Sequence, residues 1–388
     1  MSATTRIDRV LQDAAGKVPG LVALATTGTE TIYEGAFGRR DVSAEAPMTV
    51  DTVFWLASMT KAVVSAAAMQ LVEQNRLALD TPIAQTLPAL AAPKVLAGFD
   101  AAGAPVLRDA AGPITLRQLL SHSAGYGYTM WNAELGRYLR HADLPRVPTN
   151  WEELQRTPLL FDPGTRWNYG INTDLVGKVV EAASGQLLDE YLRDHVLGPL
   201  GMHDTGVTLS SAQRARQARM HARQEGGSLT PMEFPVGQGP SFFMGGGALC
   251  GTGRDYLRFL RMMLNGGTLD GTRLLSPRTV AEMARNQIGD ISVVPMRSAT
   301  PATTNDADFF PGMEKKWGLG FLINTQQAPT GRSAGSLAWA GLGNTYYWID
   351  PTAGVAGVIL MQMLPFADEQ ALDVFAGFER AVYAAIGG

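Results

Sequence analysis

No charged residue interrupts the run Ala62-Val63-Val64-Ser65-Ala66-Ala67-Ala68-Met69-Gln70-Leu71-Val72, which lies between Lys61 and Glu73. Strong helix formers with apolar residues at helical spacing predict a helix here, and one without a polar face must be buried. Ser58 precedes Lys61 by three positions, so both side chains fall on one face of the first turn. Phe54, Trp55, Leu56 and Met59 surround the lysine in sequence and take it into the interior with the helix. A buried lysine with no task is costly.

A serine hydroxyl is a weak nucleophile until a neighbouring base takes its proton, and a desolvated lysine is one such base. A helix start also leaves backbone N–H groups free beside Ser58, placed to donate to an oxyanion. The competing reading makes Ser58 a simple N-cap. Partners elsewhere in the chain decide between the two.

The N-terminal residues 5–15 carry apolar Ile7, Val10, Leu11 and Ala14 at helical spacing, and apolar runs at 21–25 and 31–37 flank Thr-Gly-Thr-Glu as a β-hairpin. The helix of Lys61 is expected to end at Asp80-Thr81-Pro82-Ile83, and residues 88–113, rich in Pro, Ala and Gly, read as irregular. A short helix over 115–121 leads to Ser121-His122-Ser123-Ala124-Gly125. Helical segments follow at 151–157, 172–184, 186–196, 252–265 and 276–286, and 288–312 reads as loop. Strand signals return at 317–324, 336–340, 345–349 and 354–361, before a closing helix over 367–385. The fold class expected is α/β (α+β): an antiparallel sheet flanked by helices and built from both chain ends. Residues 1–80 and 313–388 form the sheet domain, 81–312 an inserted mostly helical domain, and the site lies in the cleft between them.

Tyr169, in Trp167-Asn168-Tyr169-Gly170-Ile171-Asn172 just ahead of a helix, can bring a phenol to Ser58 and Lys61. Together these residues resemble the serine hydrolases of the class C β-lactamase and penicillin-binding-protein superfamily, and within it the family VIII carboxylesterases. The resemblance extends through Leu119-Leu120-Ser121-His122-Ser123-Ala124-Gly125, Phe161-Asp162-Pro163-Gly164, Gly198-Pro199-Leu200-Gly201-Met202, Gly245-Gly246-Gly247 and Trp339-Ala340-Gly341. It implies a β-lactamase/transpeptidase-like fold and an acyl-enzyme on Ser58. Lys61 and Tyr169 would share the general-base and general-acid roles, and which takes the first proton stays open because coupled groups titrate as a pair. The resemblance also implies an oxyanion hole from the N–H groups of Ser58 and Leu342, and substrate contacts at Tyr128, Trp339 and Gly341. Tyr126 and Trp131 read as further pocket walls.

Two departures set the subclass. Tyr169-Gly170-Ile171 lacks the asparagine of the β-lactamase Tyr-x-Asn, with Asn172 one residue late, and Trp339 replaces the lysine of Lys-Thr-Gly. Both remove groups that grip an anionic antibiotic. The expected activity is therefore hydrolysis of neutral short-chain or aromatic esters, with at most weak β-lactam turnover. An amidase, D-amino-acid peptidase or amide-oligomer hydrolase of the same superfamily is the alternative, a true class C β-lactamase another, and a catalytically silent binding protein a third.

Other signals exclude rather than add. A net charge of −4 and no basic stripe argue against nucleic-acid binding. Histidines 122, 141, 195, 203 and 221 stand singly, so neither a metal nor a cofactor is expected, and His122 reads as structural. Gly331-Arg332-Ser333-Ala334-Gly335 matches a nucleophile elbow but lacks the strand before and helix after. The single cysteine, Cys250, reads as a buried thiol, and the Gly245 run as permitting close backbone approach. With no basic-then-apolar leader at the N-terminus and no window long enough to span a bilayer, the expectation is a cytoplasmic protein acting on a small-molecule ester, without membrane partners.

Overall fold

The structure is a computed structural model that describes residues 3–234 and 242–387. The elements that build the scaffold are α1 (Ala3–Ala14), β1 (Gly20–Thr27), β2 (Thr31–Asp41), β3 (Ala46–Pro47), α2 (Thr60–Glu73), α3 (Asn172–Ser184) and α4 (Gly253–Leu264). They continue with β4 (Lys315–Trp317), β5 (Leu322–Asn324), β6 (Leu337–Gly341), β7 (Thr345–Asp350), β8 (Val355–Leu360) and α5 (Glu369–Ile386). The eight strands form one antiparallel sheet in the order β4-β5-β6-β7-β8-β1-β2-β3. Its seam joins the two ends of the chain, with Val22 opposite Leu360 and Ala25 opposite Gly357.

Strand β8 is buried throughout and β1 nearly so, because helices cover both faces; their sequences accordingly read as continuous apolar runs. Successive side chains take opposite faces. Tyr347 packs on Tyr256 of α4 at 5.3 Å, and its neighbour Trp348 packs on Phe378 of α5 at 5.6 Å. Two glycines permit this closeness: a Cβ on Gly253 would meet Leu24 Cδ1 at 2.4 Å, and one on Gly357 would meet the Trp348 indole at 2.2 Å. Helix α1 packs beside α5, and Tyr33 of β2 donates to Asp8 of α1 at 2.8 Å. Helix α4 belongs in sequence to 81–312, yet it lies on β8 and β1.

Helix α2 is buried on nearly every side, as its uncharged run requires, and packs on α3. It stops at Glu73, earlier than expected: Asn75 turns left-handed (φ 57°), and Arg76 N–H donates back to Leu71 O at 2.9 Å. The stretch 88–113 also differs from expectation, since Lys94–Phe99 and Pro105–Asp109 pair as a hairpin. Its turn is closed by the Asp100 carboxylate accepting from Ala104 N–H at 2.8 Å. Turn chemistry rather than apolar alternation holds those half-exposed strands. Among the described residues, 288–312 contain no helix or named strand, and no helix is long and apolar enough to cross a membrane.

Candidate active site

The turn carrying Ser58 is held from both sides. Phe54–Trp55 pairs with Cys250–Gly251, and the Gln362 amide accepts from Trp55 N–H at 3.0 Å and donates to Trp55 O at 3.2 Å. Tyr256 of α4 donates to Met59 O at 3.0 Å. Between these ties Ala57 adopts φ 47°, a conformation that costs an alanine about 1–2 kcal/mol. Residues 57–59 then make a 3₁₀ turn before α2 begins, so Ser58 stands just ahead of the α-helix. Its hydroxyl makes no capping bond, which removes the N-cap reading. Ser58 is half-buried and Lys61 fully buried.

Lys61 Nζ donates to Ser58 Oγ at 3.1 Å, Tyr128 Oη at 3.1 Å and Gly246 O at 2.8 Å. These three partners fill the three free directions of the amine head, and in the neutral amine the one toward Ser58 is the lone pair that can take its proton. Tyr128 in turn donates to Asp174 Oδ2 at 3.0 Å, and Asp174 Oδ1 accepts from Gly246 N–H at 2.6 Å. Burial raises the Asp174 carboxyl above its ordinary range, against the opposing pull of Lys61. Burial first and the Asp174 charge second hold the Tyr128 phenol far above its usual value, so its proton stays in place. The glycine run meets its expectation of close approach: a Cβ on Gly246 would stand 2.7 Å from Asp174 Oδ1 and 2.8 Å from Tyr128 Oη.

Tyr169 reaches the same lysine from a second loop. The two loops cross at Gly170, where a Cβ would lie 2.5 Å from Tyr126 O, and this crossing sets the Tyr128 and Tyr169 rings 5.4 Å apart. Lys61 Nζ lies 5.1 Å from the Tyr128 ring centroid and 4.8 Å from that of Tyr169. Tyr169 Oη accepts from the indole N–H of Trp339 at 3.0 Å, within the interior. Trp339 is thus a buried partner of Tyr169, with its ring 4.5 Å from Trp317.

Strand β6 ends against the serine turn. A Cβ on Gly341 would fall 2.3 Å from Leu56 O, so only glycine allows this contact. Leu342 follows, and among the described residues no acceptor takes the N–H of either Ser58 or Leu342.

His122 lies behind this group, its ring 4.8 Å from Tyr169, and Nδ1 pairs with the Asn172 amide at 2.9 Å. Burial, then the Lys61 charge, pushes it well below its ordinary value and keeps it neutral. Asn172 is thereby committed to His122. Tyr126 is buried, whereas Trp131 is half-buried against Phe366. Ser333 sits apart, in the loop between β5 and β6, with its N–H on Asp350 Oδ2 at 2.8 Å. Cys250 is buried, which raises its thiol to about 12. Among the described residues no group of His, Cys, Asp and Glu could hold a metal ion.

Asp174 is the member of the cluster that the sequence reading missed. It looks like an ordinary acid in the first turn of a helix, where the dipole favours one. The signal available was Lys178 four residues on, which places two charges on one face of an otherwise uncharged helix start.

A family model described as Beta-lactamase matches residues 7–380. The chain is 32% identical to an ML-236A carboxylate methylbutanoyltransferase of Penicillium citrinum, over 95% of this chain and 91% of that one. It is 30% identical to esterase EstB of Burkholderia gladioli, over 92% and 90% of the two chains. The structure superposes on a mutant simvastatin synthase from Aspergillus terreus with a TM-score of 0.86 at 29% identity, covering 100% of this chain and 96% of that one.

Proposed function

This chain belongs to the β-lactamase family, and from that premise we propose that it is a serine acyl-transfer enzyme that cleaves carboxylic esters through an acyl-enzyme on Ser58. The observation that carries the proposal is Ser58 Oγ, half-buried, at 3.1 Å from the Nζ of a fully buried lysine. Ser58 attacks the ester carbonyl, and the proton it loses moves into the Lys61–Tyr169 pair and on to the leaving alcohol. The N–H groups of Ser58 and Leu342 receive the developing oxyanion. Tyr169 activates the water that releases the acyl group. Gly341 lets β6 close on the serine turn, while Trp339 and Tyr128 act on the substrate through Tyr169 and Lys61.

Two side chains support esters over lactams. Asn172 is fully buried with its Nδ2 on His122, and Trp339, at the position of the expected lysine, offers an indole N–H to Tyr169 instead of a cation to a carboxylate. A second reading, transfer of the acyl group to an alcohol in place of water, is favoured by the identity to a methylbutanoyltransferase.

The test is turnover of p-nitrophenyl acetate, butyrate and octanoate beside nitrocefin, for wild type and Ser58→Ala, with and without an added alcohol. Ester cleavage that vanishes with Ser58, with slow nitrocefin turnover, is the expected result. A new ester formed from the added alcohol would select the transferase reading. Nitrocefin cleavage rivalling the esters would defeat the ester assignment.

A further inference from the structure

We propose that Asp174 is a positioning residue for Lys61, acting through the Tyr128 hydroxyl and the backbone of Gly246. The proposal rests on the acyl-transfer reading of Ser58 and Lys61. Asp174 is 1% exposed, and each of its oxygens accepts one hydrogen bond, from Gly246 N–H and from Tyr128 O–H. The carbonyl oxygen of the same glycine and the same Tyr128 hydroxyl oxygen accept two of the three Lys61 hydrogen bonds. Only the direction toward Ser58 remains. One carboxylate therefore sets the orientation of a side-chain nitrogen that it does not itself bond.

A lysine needs such control. Its stem has four rotatable bonds and its head is a point charge without directional preference of its own. Helix α2 fixes the Lys61 backbone, but the ring of Asp174, Gly246, Lys61 and Tyr128 fixes Nζ. Lys178, on the same helix as Asp174, pairs with Glu181 at 2.9 Å and is taken up there. His122 is neutral and bonded to Asn172, and Tyr169 is bonded by Trp339. Asp174 is thus the negative group built into this ring. Burying a carboxylate is expensive, so a helix start with no task beyond packing would be better served by an apolar residue.

The test uses Asp174→Asn, which keeps the shape but turns one acceptor into a donor, so that Tyr128 and Gly246 cannot both donate to it. The rate of the p-nitrophenol burst is expected to fall about 10- to 100-fold, the effect of losing a hydrogen bond to a charged group, with KM nearly unchanged. Tyr128→Phe should lower the burst rate in the same way, and the double variant should lose less than the two single losses combined. A purely structural role would instead lower the melting temperature without separating kcat from KM. If Asp174→Asn does not fold, Tyr128→Phe carries the test: a wild-type burst rate there overturns the proposal. So does a folded Asp174→Asn with a wild-type burst rate. A wild type without a Ser58-dependent burst overturns the acyl-transfer reading itself, and this proposal with it.

Discussion

Replacing Trp339 by Phe isolates one hydrogen bond. The indole N–H donates to Tyr169 Oη at 3.0 Å, with both side chains buried. Phenylalanine keeps an aromatic ring against Tyr169 and removes only the donor and part of the indole. In the ground state, leaving the Tyr169 oxygen without a buried partner costs about 1–3 kcal/mol. Under the proposed mechanism the Tyr169 oxygen gains negative charge as it gives its proton to the leaving alcohol, so the bond strengthens along the reaction and its loss appears in the rate. A charge-assisted bond of about 1.5–3 kcal/mol corresponds to roughly a 10- to 150-fold lower burst rate. The assay is stopped-flow release of p-nitrophenol from the butyrate ester, with melting temperature measured in parallel. Trp317→Phe is the control, because Trp317 is equally buried and packs on Trp339, but its N–H goes to Leu120 O at 3.2 Å. It should lose stability with little change in burst rate. A folded Trp339→Phe with the wild-type burst rate, or equal rate losses in the two variants, would refute the reasoning.

Gly246→Ala should abolish the burst while nitrogen and oxygen contacts of Asp174 are forced apart, since its Cβ has no room at 2.7–2.8 Å; a burst retained in a folded variant would show that the lysine ring tolerates displacement. Glu379→Gln leaves the Arg332 guanidinium, 2.7 Å from Glu379 and buried with it, without its counter-charge, so unfolding by urea should show a loss of about 3–5 kcal/mol with kcat retained. His122 and His221 are both held by burial below their ordinary value, so the unfolded chain takes up their protons first. Stability should accordingly fall as pH drops through about 6.5, and a melting temperature that is flat or rising between about pH 7.5 and 5.5 would contradict this.

What could be read from the sequence divides along physical lines. The sheet was legible because its central strands are covered on both faces and so carry unbroken apolar runs. The helix of Lys61 was legible because an uncharged run tolerates only burial. Ser58 and Lys61 were found because they stand three residues apart at the start of an uncharged helix, and Tyr169 because it stands in a loop bounded by Pro163, Gly164 and Gly170; the structure brings the lysine against both other residues. The bonds of Tyr128 and Trp339 were not visible: each was expected as a substrate contact, and only the fold shows that one bonds Lys61 and the other Tyr169. Asp174 was hidden for a similar reason, since its partners lie at positions 128 and 246 and no local spacing joins them. The hairpin over 94–109 escaped because its strands are half exposed and its stability lies in a turn.

The most direct test of the account is intact-protein and peptide mass spectrometry after brief mixing with p-nitrophenyl butyrate. The account predicts one butyryl group on the peptide carrying Ser58, formed at the rate of the burst, absent in Ser58→Ala and unchanged in Ser333→Ala. A butyryl group on Ser333, or a Ser58→Ala protein that still forms the adduct and turns over ester, would contradict it.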